Sequence, residues 1–138
     1  MAAHLNGACN MRFNKYFQVA EMACKCGCGF GTKPGDIDER VVWIATCARI
    51  HFAAPVTITS ACRCPSHNAK VGGAKASRHQ PQGALNGASS ALDIKVKGVA
   101  PAQVQAFLDE LLAGRFGVGY GETFTHVDTR DTPARFDY

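Results

Sequence analysis

The chain has no long apolar run, no stripe of basic residues and no internal repeat, and each absence removes a class of protein. Its longest apolar block, Val41 to Ala45, is stopped by Thr46 and Arg49. It falls far short of the roughly 20 residues needed to cross a bilayer, so no membrane span is expected. The opening MAAHLNGACNMRF lacks a basic start followed by an apolar block and does not read as a secretory signal. Synthesis in the cytoplasm is expected, with any site beyond the membrane reached by another route. The net charge of +4 comes from basic residues scattered along the chain without interleaved aromatics, which argues against a nucleic-acid partner and suits, weakly, an anionic polymer. No C-x-x-C pair occurs, which argues against thiol redox catalysis.

What is present fits one ordinary globular domain: 138 residues, 46% hydrophobic and 19% charged. Residues 1–15 show no period and read as an irregular lead-in to a domain over 16–138. YFQVAEMAC is a short apolar segment feeding a glycine- and cysteine-rich loop over 24–35. Ile37, Val41, Ile44, Ala45, Ala48 and Phe52 recur at helical spacing, which predicts a helix capped by Asp36 and ended before Pro55. VTITS from Val56 reads as a strand, residues 61–90 as loop with a helical turn near Ser66 to Val71, and ALDIKV from Ala91 as a second strand. Pro101 opens a second amphipathic helix carrying Val104, Phe107, Leu108, Leu111 and Leu112 and closed by Gly114. Phe116 to Tyr120 and Thr123 to Arg130 then read as two strands joined by a tight Gly121–Glu122 turn. That order predicts a small α+β domain with two main helices.

Three short stretches carry ionisable side chains suited to chemistry: SRH ending at His79, ALDI containing Asp93, and THVD containing His126 and Asp128. Two imidazoles and a carboxylate are the usual protein ligands of a catalytic zinc, which keeps its fourth position open for water. Taken singly, each histidine is as readily a satisfied core or surface residue. Asp93 lies between Leu92 and Ile94 in an apolar strand, where a carboxylate needs a metal or a partner such as an arginine.

ITSACRCPSHNAKVGGAKASRH, ALDIKV and GVGYGETFTHVD, with Phe17 to Gly29 upstream, resemble in order the zinc D-Ala-D-Ala carboxypeptidase family. Its wider group takes in phage endolysins, D-Ala-D-Ala dipeptidases and the hedgehog signalling domain. The resemblance covers roughly residues 16–130. It implies a mostly antiparallel sheet and a Zn2+ ion held by His79, Asp93 and His126. It also implies hydrolysis of D-amino-acid-containing peptide bonds in peptidoglycan stem peptides, by a monomer delivered to the wall or periplasm through a holin or another non-classical route. Arg63 falls on the arginine of the S-x-x-R motif, expected to contact substrate or the developing oxyanion. Ser77 falls on a substrate-contacting position.

Two departures bear on mechanism. Relatives show S-x-H-x-x-G-x-A-x-D, whereas here the interval from His79 to Asp93 is twice as long and Ser89 replaces the glycine. Where many relatives carry an acidic residue three positions before the last histidine, this chain has Thr123. The general base is then expected at Glu122 first, through a local bulge, or at Asp128, which strand alternation puts on the face of His126. The alternative to an enzyme is a zinc-containing, non-catalytic wall-binding or phage-structural module. Of seven cysteines, Cys24, Cys26, Cys28 and Cys64 are expected to hold a structural zinc, to form disulfides such as one tying the two cysteine segments together, or to stay free thiols.

Overall fold

VTITS and ALDIKV form adjacent strands at one side of a five-stranded sheet in the computed structural model, which describes residues 14–138. The strands are β1 (Val56–Ser60), β2 (Ala91–Val96), β3 (Gly117–Tyr120), β4 (Thr125–Asp128) and β5 (Ala134–Asp137), in the spatial order β1-β2-β4-β3-β5. All neighbours are antiparallel except β3 and β5. The helices are α1 (Glu39–Phe52), α2 (Pro65–Lys70) and α3 (Pro101–Leu112), making the domain α+β as its sequence pattern implied. None of the helices among the described residues is long and apolar enough to cross a membrane.

Alternation along the strands separates a core face from a site face. Leu92 of β2 pairs with Val127 of β4, which pairs with Val118 of β3, and all three are completely buried beneath the helices. α1 lies on β1 and β2, α3 lies on β2, β3 and β4, and the two helices touch each other. The apolar stripes that predicted the helices meet the sheet here, with Val41, Ile44, Ala45 and Ala48 of α1 and Val104, Phe107, Leu108 and Leu111 of α3 buried. Burying a side chain such as Leu108 contributes about 1.5–3 kcal/mol. The next row across the sheet, Asp93, His126 and Gly119, faces the other way.

Some boundaries moved for local reasons. The cap of α1 is Asp38, whose carboxylate accepts the Arg40 backbone N–H at 3.0 Å. Asp36 instead closes a 3-10 turn, and Ile37 between them is extended and bridged to Ser89. Phe116 has a φ of 64°, in the left-handed region, so β3 begins one residue later than expected. The link to β4 is the four-residue stretch 121–124 rather than a tight two-residue turn, because Gln105 of α3 donates to the carbonyls of both Gly121 and Phe124. The parallel strand β5 went unread: DTPARFDY is short, polar and interrupted by Pro133. Most of the expected lead-in falls outside the described residues.

Asp38 also accepts the Thr129 hydroxyl at 2.5 Å, joining the start of α1 to the end of β4. Replacing it with alanine removes a helix cap, and Asp38→Ala is expected to cost about 1–2 kcal/mol of stability. Equilibrium urea unfolding measures this; an unchanged midpoint would show that the cap contributes nothing.

Candidate metal centre

The pairing of β2 with β4 sets Asp93 directly opposite His126, on the face away from the helices. Asp93 Oδ1 is 3.0 Å from His126 Nδ1. The third member arrives from the loop before β2: His79 Nε2 lies 3.1 Å from the same carboxylate oxygen. Its ring is buried and held from behind, since Nδ1 is 2.6 Å from the Ala61 carbonyl oxygen. Its backbone is held as well: its carbonyl accepts the Arg63 N–H at 2.9 Å, and its own N–H donates to Ser77 Oγ at 3.3 Å. One donor atom from each of His79, Asp93 and His126 thus lies within 4.8 Å of the others.

The outer hydrogen bonds decide what these atoms can bind. A carbonyl oxygen only accepts, so His79 Nδ1 carries a hydrogen, and a neutral ring turns the Nε2 lone pair toward Asp93. On the other side Asp128 Oδ2 is 2.6 Å from His126 Nε2. That carboxylate takes the Nε2 hydrogen and leaves the Nδ1 lone pair facing Asp93. Three lone pairs converging in a buried place repel one another unless a cation or protons lie among them. Two imidazole nitrogens and one carboxylate oxygen, each ring oriented by an outer acceptor, fit a zinc ion with an open coordination position. The ionisation tendencies agree. Burial works against charge on the His126 ring, but hydrogen bonds to Asp128 and Asp93 outweigh it and raise its pKa. Burial likewise opposes the Asp93 carboxylate, yet the two rings hold its pKa well below the usual carboxylate range.

The rest of the site face is shaped to leave room. A Cβ on Gly119 would come within 2.7 Å of the Tyr138 ring, 2.8 Å of the Phe136 ring and 2.9 Å of His126 Cβ. A Cβ on Gly117 would come within 2.5 Å of Asp128 Oδ1. These two glycines let the aromatic wall from β5 and the Asp128 carboxylate close over β3. Asp128 is completely buried, and Arg130 clamps it with two hydrogen bonds of 2.8 and 2.7 Å. Burial disfavours its charge, but Arg130 and His126 hold its pKa well below the usual range.

A cavity of about 600 Å³ opens beside the triad, bordered by Asp93, His126, Arg63, Ser77, Phe136 and Tyr138 among others. Arg63 Nη2 is 3.5 Å from Ser77 Oγ, so both residues expected to meet substrate stand together at the cavity. Glu122 is exposed in the 121–124 link and does not border it. Asp128 touches the triad through His126 but does not border the cavity either. Reasoning from sequence missed Arg130, Phe136 and Tyr138. Arg130 was within reach as the last residue of the expected strand Thr123 to Arg130, whereas Phe136 lies on the unread strand β5 and Tyr138 just beyond it.

Cys24, Cys26, Cys28 and Cys64 form a second group of donors within 4.8 Å of one another, and all four are free thiols. Cys62 is buried, and its Sγ points to the Asp36 carbonyl.

A family model described as Peptidase M15 matches residues 15–128, a span that contains the triad, Arg63 and the four clustered cysteines. No curated protein matches the chain.

Protons and metal compete for His126 Nδ1. Its raised pKa means that zinc affinity falls as pH drops through that value and that binding releases protons. Calorimetry of zinc binding in buffers of differing ionisation enthalpy is expected to show this release. Asp128→Asn, which removes the negative charge facing Nε2, is expected to weaken zinc binding about 10–100-fold. Proton-independent binding, or unchanged affinity in the variant, would contradict the assignment of donor atoms.

Proposed function

The chain belongs to the peptidase M15 family, a zinc-dependent group of metallopeptidases, and from that premise we propose that it hydrolyses D-amino-acid-containing peptide bonds of bacterial peptidoglycan. The observation that carries the reading is the convergence of His79 Nε2, Asp93 Oδ1 and His126 Nδ1 beside a cavity bordered by Arg63. The chemistry zinc supplies when bound is Lewis acidity, which polarises the scissile carbonyl and makes water a nucleophile at neutral pH.

The chain's own residues do the rest. Arg63, Arg78 and Arg130 border the cavity and favour an anionic substrate, as a stem peptide with free carboxylates is. Arg63 either steadies negative charge developing on the carbonyl oxygen or pairs with the substrate carboxylate, and its contact with Ser77 restrains the guanidinium for this. Ser77 offers its hydroxyl to the substrate backbone from the same wall. Asp128 is a positioning residue, holding the His126 ring in the tautomer that presents Nδ1. Phe136 and Tyr138 supply an apolar wall against which a short side chain such as that of alanine can lie. Action on the wall by an endolysin-like route, with the protein leaving the cytoplasm through a holin-type path, accords with this substrate.

One observation favours a second reading, a zinc-holding module that binds wall peptides without cleaving them. Glu122 lies away from the cavity, and both oxygens of Asp128 are engaged by Arg130 and His126. Peptide release from purified muropeptides separates the two. Hydrolysis is expected, stopped by a chelator and by His79→Ala. Arg63→Ala should lower turnover about 10²–10³-fold, whereas Glu122→Gln should stay within about twofold of the parent. Zinc-loaded protein that binds muropeptides without turnover would establish the module. A large loss in Glu122→Gln would return that residue to the role of base.

A further inference from the structure

We infer that Cys24, Cys26, Cys28 and Cys64 form a second metal site, a tetrathiolate site for a structural zinc ion that fixes the segment from which His79 and Arg63 are held. Cys24 Sγ lies 3.4 Å from Cys26 Sγ, and Cys26 Sγ lies 3.7 Å from Cys64 Sγ. Those separations are too long for a disulfide and close to about 3.8 Å, the edge of a tetrahedron built from 2.3 Å zinc–sulfur bonds. Four sulfurs that approach without bonding, two of them exposed, gain little from packing and repel once ionised; a soft divalent cation supplies the missing attraction.

The surrounding backbone is arranged as thiolate ligands need. The Cys64 N–H points at Cys24 Sγ at 3.5 Å, and the His67 N–H points at Cys64 Sγ at 3.4 Å, so peptide dipoles spread the negative charge. Cys62 takes no part, its Sγ being turned to the Asp36 carbonyl.

Position gives the site its consequence. The segment Ala61–Cys64 has one edge on each metal centre. Cys62 N–H donates to the Met22 carbonyl beside the cysteine loop, and Cys64 supplies a sulfur. In the same four residues the Ala61 carbonyl holds His79 Nδ1, and the Arg63 N–H holds the His79 carbonyl. Cys64 also caps α2, whose following loop borders the cavity. A cation binding the four sulfurs therefore clamps the cysteine loop to the segment that aims His79 and presents Arg63. The inference is independent of the peptidase reading, since either centre can hold metal without the other.

The test is metal content and cobalt spectroscopy of the full chain purified under reducing conditions. Two zinc equivalents per chain are expected, falling by half in a His79→Ala, His126→Ala double variant and by half in a Cys26→Ser, Cys28→Ser double variant. After cobalt exchange, the parent and the histidine variant should show intense thiolate-to-cobalt charge-transfer absorption, and the cysteine variant should lose it while keeping the weaker bands of the other site. If the cysteine variant fails to fold, the parent and histidine variant still decide the matter. Absence of thiolate charge transfer in either, or native disulfides among the four cysteines by mass spectrometry, would overturn the inference, whereas a single metal equivalent that keeps the charge-transfer bands would support it and count against the histidine centre.

Discussion

Much of the site depends on one electrostatic condition: Asp93 Oδ1 is approached by two imidazole nitrogens whose hydrogens are committed elsewhere. A lone pair turned toward a carboxylate is repulsive, and burial deepens the penalty because little water screens it. The Ala61 carbonyl and the Asp128 carboxylate make that repulsion unavoidable in neutral rings, and so make the place receptive to a cation. The outer acceptors are therefore as much part of the centre as the proposed ligands. Arg130 belongs to the same chain of dependence. Without it, Asp128 would be a buried carboxylate facing a single ring, and its charge would be hard to sustain.

The sheet meets this condition through register. Pairing fixes Asp93 against His126, and a slip of either strand by one residue would send its own member of that pair into the apolar core and bring Leu92 or Val127 to the site. The core itself resists that slip, since Leu92, Val127 and Val118 form a buried row under α1 and α3. Hydrophobic burial on one face thus holds the polar geometry of the other. Gly117 and Gly119 extend the argument to β3, where any side chain would collide with Asp128 or with the β5 aromatics.

Local pattern in the sequence was enough for β1, β2 and α3, whose bounds fall where β-branched alternation and the Pro101 start place them. The three proposed ligands were legible because each sits in a short motif, two of them on strands, and family order supplied the rest. Features set by tertiary contact were not legible. The 121–124 link is held by Gln105 from a distant helix, and β5 pairs in parallel with β3 despite a polar, proline-containing lead. Missing β5 hid the aromatic wall that borders the cavity. Neither Glu122 nor Asp128 borders the cavity, a matter of side-chain direction and burial that motif spacing does not carry.

The lengthened interval between His79 and Asp93 shows how a departure from the family pattern can leave a centre intact. Doubling a flexible loop costs only about 0.6 kcal/mol of closure entropy, so length alone is a small burden. The larger question is whether the extra residues transmit disorder to the ligands at their ends, and hydrogen bonds at the base of the loop prevent it. Ser90 N–H donates to the Arg78 carbonyl at 3.0 Å, joining the residue before His79 to the approach to β2. Gln82 and Ala88 bridge inside the loop, and Ser89 N–H reaches the Asp36 carbonyl at 2.8 Å. The insertion is pinched off beside Arg78, and the strand that carries Asp93 starts from a fixed point. Ser89, standing where relatives have glycine, uses its side chain in the same closure, with Oγ 3.4 Å from the Arg78 carbonyl oxygen.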